Sequence, residues 1–144
     1  MNLNNYTIKS QEAIQQAQQI AQSFSHNQIE NEHLFQGILN SDENVLPFIL
    51  KKLNVNTNLL KQTLDKQLQS LPKVTGSELM LSRETGKTLN EAAIITKKMN
   101  DDFVSIEHLL LAILKSKSNI AQLLKDQGVT EKGLQEEIQG MIID

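Results

Sequence analysis

The stretch "TGKT" at residues 85–88 contains the Gly-Lys-Thr triplet of a phosphate-binding loop. Such a loop also needs a glycine five positions before Gly86, so that backbone N–H groups can approach the phosphates, and a buried strand ahead of it. Leu81 occupies the glycine position, and no preceding strand is indicated. We therefore interpret the stretch as the first turns of a helix, and we expect no nucleotide or other cofactor to bind this chain.

Glu32-His33 and Glu107-His108 are the pairs whose residue types could bind a metal ion. Neighbouring helical residues point about 100° apart, so neither pair can easily hold one ion, and the zinc-protease spacing H-E-x-x-H is absent. The glutamates are expected to favour a helix start electrostatically, and the histidines to hydrogen-bond locally at a packing interface. Because no serine, histidine and acid are grouped, we expect neither catalytic residues nor a metal site.

The composition excludes further classes of function. The 144 residues fit one domain that can bury a core, and the absence of cysteine excludes thiolate catalysis and Cys-ligated zinc. A formal charge of −3, with Arg83 as the only arginine, provides no clustered basic face for nucleic acid. No apolar run is long enough to cross a bilayer, and the first ten residues do not resemble a signal peptide, so we expect no membrane partner and a cytoplasmic location.

The elements that would position these residues come from a repeat. The stretch "NEHLFQGIL" at 31–39 returns as "IEHLLLAIL" at 106–114, with Glu32 recurring 75 residues later as Glu107. Few prolines and glycines interrupt the chain, and β-branched runs of strand length are missing, which favours helix throughout. The same offset aligns apolar positions three or four residues apart, the spacing of one helix face: Ile14 with Leu89, Ala17 with Ala92, Ile20 with Ile95, and Phe24 with Met99.

The predicted fold class is all-α, a tandem duplication of a four-helix unit packed as a pseudo-two-fold eight-helix domain. Thr7 and Ser82 are the expected N-caps of the leading helices, and Gly128 is expected to end the seventh. Pro72 and Gly76 break helix in the segment between the copies. The predicted bounds are about 5–70 for copy one, with helices at 8–24, 31–40, 44–53 and 57–70; about 71–81 for the connector; and about 82–142 for copy two, with helices at 82–99, 105–115, 118–126 and 130–142.

This organisation resembles the N-terminal Clp repeat domain of the Hsp100 chaperones over residues 5–142. The resemblance is carried by the duplicated unit, by "LPKVTG" at 71–76 in the connector, and by "DDFVSIEHLLLAIL" at 101–114. Within the family these motifs are most similar to ClpB-like disaggregases. The resemblance implies a non-enzymatic domain that recognises unfolded or aggregated polypeptide. The alternative is a dock for folded adaptors, as in the ClpA-like and ClpC-like unfoldases that serve a protease.

The resemblance also implies which residues handle substrate. In ClpB-like domains three polar residues are important for handling substrate: a threonine before the first helix of the domain, an acid in the loop between the first and second helices of a copy, and the glutamate that begins the second helix. In this chain they match Thr7, Asp101 and Glu107. The copies differ in that loop, because "HNQ" at 26–28 is replaced by "DDF" at 101–103. Two acids and Phe103 therefore stand beside Glu107 only in the second copy.

An apolar groove for unfolded segments is implied as well, with Ile8, Leu89 and Ile95 as candidates. Helical periodicity alone assigns Leu89 and Ile95 to the core instead. The domain by itself is expected to be a monomer, because packing one copy on the other consumes its apolar faces. The resemblance places hexamer formation, ATP and Mg²⁺ in ATPase modules of a longer protein. The predicted substrate-binding set is Thr7, Ile8, Leu89, Ile95, Asp101, Phe103 and Glu107.

Glu32 and Glu107 each lie in the first turn of their helix. If Glu107 does nothing beyond favouring that helix start, the two glutamates should be equivalent, and replacing either with alanine should cost roughly 0.3–1 kcal/mol without loss of function. Asp101 and Glu107 are expected to contribute little to folding.

Overall fold

The computed structural model describes residues 2–143 as eight helices and two very short strands. Every helix begins and ends within one residue of its predicted bounds, so the all-α fold class is confirmed. The elements of copy one are α1 (Ile8–Ser23), β1 (Gln28–Ile29), α2 (Asn31–Ser41), α3 (Val45–Lys52) and α4 (Thr57–Ser70). The connector contains β2 (Met80–Leu81), and copy two consists of α5 (Arg83–Lys98), α6 (Ile106–Lys115), α7 (Asn119–Asp126) and α8 (Glu131–Ile143).

Side-chain caps fix the starts of the two leading helices. Thr7 Oγ1 accepts the N–H of Ser10 at 3.2 Å, and Ser82 Oγ accepts the N–H of Thr85 at 3.1 Å. Each cap satisfies a backbone donor that has no partner inside its helix. Gly128, with φ of +89°, follows the end of α7 in the left-handed conformation that glycine adopts without strain. All three predictions from the sequence are confirmed.

The Gly-Lys-Thr triplet lies within the first turns of α5, as interpreted from the sequence. Thr88 is buried there, where its hydroxyl donates to the carbonyl of Glu84 and accepts from the side-chain amide of Asn31. This contact joins α5 to α2 of the other copy. The triplet therefore contributes to packing between the copies.

The second helix of each copy occupies the centre of the core. Both α2 and α6 bury most of their residues, and each contacts the leading helix of its own copy as well as the other central helix. Leucine, isoleucine, valine and alanine supply nearly all of the buried apolar side chains, with Phe35 as the one buried phenylalanine, tyrosine or tryptophan among residues 2–143. No helix in this range is long and apolar enough to span a membrane.

The first two helices approach each other unusually closely at Gly37. A Cβ atom added there would lie 2.2 Å from the carbonyl oxygen of Ala13, whose position is fixed by α1. The positions 75 residues further on are Thr88 and Ala112, so copy two accommodates a methyl group where copy one cannot. The two copies therefore pack their leading helix pairs differently.

Each copy pairs the segment before its leading helix with the loop of the other copy. In the parallel β1–β2 pair, Ile29 faces Leu81; in a second parallel bridge, Tyr6 faces Val104. Adding 75 to the number of Tyr6 and of Ile29 gives Leu81 and Val104, so the two contacts are reciprocal. This is the arrangement expected of two copies packed about a two-fold axis. The sequence did not predict these strands, because two residues are too few to show an alternating pattern.

Candidate functional site

The reciprocal pairing brings the start of α1 beside the loop between α5 and α6. Thr7 donates its N–H to Val104 O at 3.0 Å, and Val104 donates its own to Asn5 O at 2.8 Å. The residues that flank this bridge are Ile8, which is 76% exposed, and Phe103, which is 52% exposed. We call the region formed by Thr7, Ile8, Asp101, Phe103 and Glu107 the α1–α6 surface. It contains five of the seven residues predicted to bind substrate.

Leu89 and Ile95 do not belong to this exposed set. They are 8% and 6% exposed and pack in the main core, so they lie apart from the exposed residues, and their place in an apolar groove stays a prediction. Their helical spacing had already favoured burial, and the structure follows the spacing. Ile95 also lines a cleft of 220 Å³ between α5, α6 and α8.

The Asp101 carboxylate is held in place by His108. Ser105 donates its N–H to His108 Nδ1 at 2.9 Å, so in the neutral ring the proton lies on Nε2. That nitrogen is 2.7 Å from Asp101 Oδ2 and donates to it. His108 is buried and Asp101 is exposed, so the hydrogen bond fixes one oxygen of a carboxylate that water can still reach. Asp101 thus has a structural partner, and the expectation that it contributes little to folding stays a prediction.

Glu107 is half-buried in the first turn of α6, and no group among residues 2–143 donates a hydrogen bond to its carboxylate. Its counterpart is Glu32, which is 5% exposed. Glu32 Oε2 accepts the N–H of Ile120 at 3.0 Å and so caps α7 of the other copy. The expectation that the two glutamates are equivalent is therefore wrong.

The difference between the glutamates arises at the start of α3. By repeat symmetry Glu107 would accept the N–H of Val45, the counterpart of Ile120. Asp42 already does so, since its carboxylate accepts the N–H groups of Asn44, Val45 and Leu46. Lys117 stands at the matching position of copy two, so α7 lacks this cap and relies on Glu32 and Ser118.

Burial raises the pKa of Glu32, and the hydrogen bond from Ile120 partly opposes that rise. Thr7 likewise has a structural role, because its hydroxyl accepts from the Ser10 N–H and donates to Ser10 Oγ. Of the three polar residues implied by the family resemblance, Glu107 is therefore the one without a structural hydrogen bond in the described part of the chain.

His33 occupies the position in α2 that His108 has in α6. Glu30 donates its N–H to His33 Nδ1 at 2.8 Å, so the ring proton lies on Nε2, which donates to His26 Nδ1 at 2.8 Å. The proton of His26 is then on its own Nε2, which is buried without a partner among residues 2–143. The His26 ring also stacks on Phe24, with centroids 5.2 Å apart. The local hydrogen bonding predicted for both histidines is confirmed.

A groove with a volume of 620 Å³ lies elsewhere, between the starts of α2, α5 and α7. Its lining mixes acidic side chains such as Glu30 and Glu84 with Lys117 and Lys125. Within residues 2–143, no three His, Cys, Asp or Glu side chains converge as metal ligands would. The groove has no large exposed apolar side chain, so it does not suit an apolar polypeptide segment.

Two four-helix copies joined by reciprocal backbone contacts are the arrangement expected of a Clp repeat domain, and the comparison with known families agrees. Residues 5–127 match the Clp repeat N-terminal domain family, a non-catalytic all-helical domain, and the chain belongs to it. Its relatives include the chaperone protein ClpB of Bacteroides thetaiotaomicron, 48% identical over 96% of this chain, and that of Porphyromonas gingivalis, 40% identical over 96%. The chain spans 16% of the length of either relative.

The fold is also that of solved Clp N-domains. The crystal structure of the Hsp104 N-terminal domain from Candida albicans superposes with a TM-score of 0.80, covering 91% of this chain and 87% of that one at 20% identity. At this identity the likeness shows the fold alone. The family resemblance predicted from the repeat, the connector and the α6 motif is confirmed.

Proposed function

We propose that the chain is the substrate-recognition domain of a ClpB-like protein disaggregase, and that it binds unfolded or aggregated polypeptide at the α1–α6 surface. The observation that carries the proposal is the exposure of Ile8 and Phe103 on either side of one backbone bridge. Two large exposed apolar side chains, each next to a residue of one hydrogen-bonded backbone bridge, are suited to an apolar segment of an unfolded chain. Native proteins bury such segments and would not present them.

The acids beside this apolar pair give the surface its polar edge. Asp101 presents a free carboxylate oxygen, and Glu107 has no hydrogen-bond donor of its own among the described residues. An extended polypeptide has unpaired backbone N–H groups, which carboxylates accept in charge-assisted hydrogen bonds. The surface should therefore favour an apolar segment with free backbone donors and disfavour an acidic one.

The affinity should be modest. Burying an isoleucine and a phenylalanine contributes about 1.5–3 kcal/mol each, before the cost of association is subtracted. We therefore expect a dissociation constant on the order of 10 µM or weaker. Weak binding suits a module that must release its substrate to ATPase modules elsewhere in a longer protein. Those modules would use ATP and Mg²⁺ and form the hexamer in the cytoplasm, whereas the domain itself would be a monomer.

The experiment is an NMR titration of the labelled domain with reduced, carboxamidomethylated lysozyme, which cannot fold, and with native lysozyme. We expect saturable shifts around Ile8 and Phe103 with the unfolded protein alone. Ile8→Ser and Phe103→Ser should each weaken binding roughly tenfold, as expected when about 1.5 kcal/mol is lost.

Leu59→Ser is the matched control, because Leu59 is 45% exposed on α4, outside the α1–α6 surface. It should leave the affinity unchanged. Equal shifts with native and unfolded lysozyme would contradict the recognition of unfolded chains. A loss of binding in the Leu59 variant equal to that in the Phe103 variant would contradict the location of the site.

A further inference from the structure

The histidine pair, His26 and His33, has no place for an additional proton. The N–H of Glu30 points at His33 Nδ1, and His33 Nε2–H points at His26 Nδ1. A proton added to either Nδ1 would place two N–H donors against each other. Charging either ring therefore breaks one of the two hydrogen bonds, in a site where both side chains are at least nine-tenths buried.

The charged groups around the pair add to this effect. The pKa of His33 is lowered to about 4 by burial, and then by the neighbouring His26. The pKa of His26 is also lowered, first by burial and then by Lys73, while Glu30 acts in the opposite direction. Lys73 belongs to the connector, so a charged His26 would repel the segment that lies beside it.

The loop that contains His26 holds the connector in place. The carbonyls of Ser25, Asn27 and Ile29 accept the N–H groups of three connector-side residues: Val74 at 2.9 Å, Met80 at 3.1 Å and Ser82 at 3.2 Å. Below them, a small apolar cluster separate from the main core joins Ala17, Ala21 and Ile29 to Leu79 and Leu81. The carbonyls on both sides of His26 thus depend on the conformation that the buried ring maintains.

We propose that the histidine pair is an acid-sensitive contact: when it gains a proton, His26 leaves its buried position, and the connector detaches from residues 25–29. Detachment would uncover the apolar face of α1 at Ala17 and Ala21. The matching position of copy two is Asp101, whose carboxylate accepts from His108 Nε2 and would attract a charged ring, although the N–H of Ser105 would then lose its acceptor at Nδ1. The bridge between Tyr6 and Val104 should therefore hold where the connector does not.

The direction of the pH effect follows from the lowered pKa. Above about pH 6.5 both the native and the unfolded His33 are neutral, and the native contact keeps its full stability. As the pH falls from about 6.5 towards 4, the opened or unfolded state binds a proton that the native contact excludes. Stability of the contact is lost through this interval.

Hydrogen exchange of the domain at pH 7.5 and pH 5, corrected for the intrinsic rate, tests the proposal. The protection of the Val74, Met80 and Ser82 amides should fall on the order of tenfold at pH 5. The Thr7 and Val104 amides form the reciprocal bridge and should keep their protection. An equal fall at both sets of amides would show general unfolding and contradict the proposal, as would no fall at either.

Two variants each replace one histidine of the pair, and the double variant removes both. His33→Gln keeps an acceptor for the Glu30 N–H and a donor for His26, and glutamine is common at this position of a capping box. His26→Asp gives copy one the pairing found in copy two. Each single variant, provided that it folds, should reduce the fall at the connector amides, and the double variant, which has no imidazole at this contact, should abolish it. Persistence of the fall in the double variant would assign it to another group and overturn the proposal.

Discussion

The starts of α2 and α6 carry the same Glu-His pair and the same histidine contact to the preceding backbone, yet their glutamates differ in environment. Glu32 is buried and caps α7 of the other copy, whereas Glu107 is half-buried and has no donor among the described residues. The cause lies in the opposite helix, where Asp42 caps α3 and leaves Glu107 without that role. Glu107 is thus released from the capping role that Glu32 has, which is why it is the candidate for a role in binding.

The histidines extend the comparison. In copy one the chain of hydrogen bonds ends at a buried imidazole, His26, and in copy two it ends at an exposed carboxylate, Asp101. The buried histidines of copy one fix the loop at residues 25–29, and that loop holds the connector by backbone hydrogen bonds. The second places a carboxylate on the surface beside Phe103. The loop of copy one therefore provides structural support, whereas the loop of copy two forms the candidate binding surface together with Thr7 and Ile8 of copy one.

The largest expected effect concerns the leading helix pairs. Gly37→Ala should destabilise the domain by about 3 kcal/mol or more, because the new methyl group meets the Ala13 carbonyl, which cannot move without shifting α1. Ala112→Gly, the reverse change in copy two, should cost only about 1 kcal/mol from helix propensity. Urea unfolding of both variants measures the difference. Similar costs would show that α1 and α2 can separate as easily as α5 and α6.

How far the sequence predicts the structure depends on whether the causes are local. The helix bounds and the caps at Thr7 and Ser82 depend on neighbouring residues, and they were predicted from spacing and residue type. The Glu32 cap joins residues 88 positions apart, so no local pattern indicates it. Asp42 could have been recognised as an N-cap, because an aspartate shortly before a helix is a common signal. That this cap leaves Glu107 without a donor could not be predicted, because it depends on how the two copies pack against each other.

The next largest effect distinguishes the two glutamates. Glu32→Ala should cost about 1–3 kcal/mol, since it leaves the buried N–H of Ile120 without an acceptor. Glu32→Gln retains an acceptor and should recover a large part of that loss. Thermal and urea unfolding of the two variants, beside Glu107→Ala, would measure the contrast. If Glu32→Ala costs no more than Glu107→Ala, the cap on α7 contributes nothing and the comparison between the copies fails.

The smallest effect on stability should accompany a clear effect on function. Glu107→Ala should cost only roughly 0.3–1 kcal/mol, the worth of its interaction with the start of α6. Under the proposed function it should still impair reactivation of heat-aggregated luciferase, measured with this domain placed on the ATPase part of a ClpB relative.

Asp101→Asn is the companion variant, because an asparagine oxygen can still accept from His108 and only the charge is lost. It should melt near the wild-type temperature and impair reactivation as Glu107→Ala does, whereas any defect in Glu32→Ala should follow its lost stability. Wild-type reactivation by both surface variants, or losses that simply parallel their melting temperatures, would leave Glu107 as a helix-start residue.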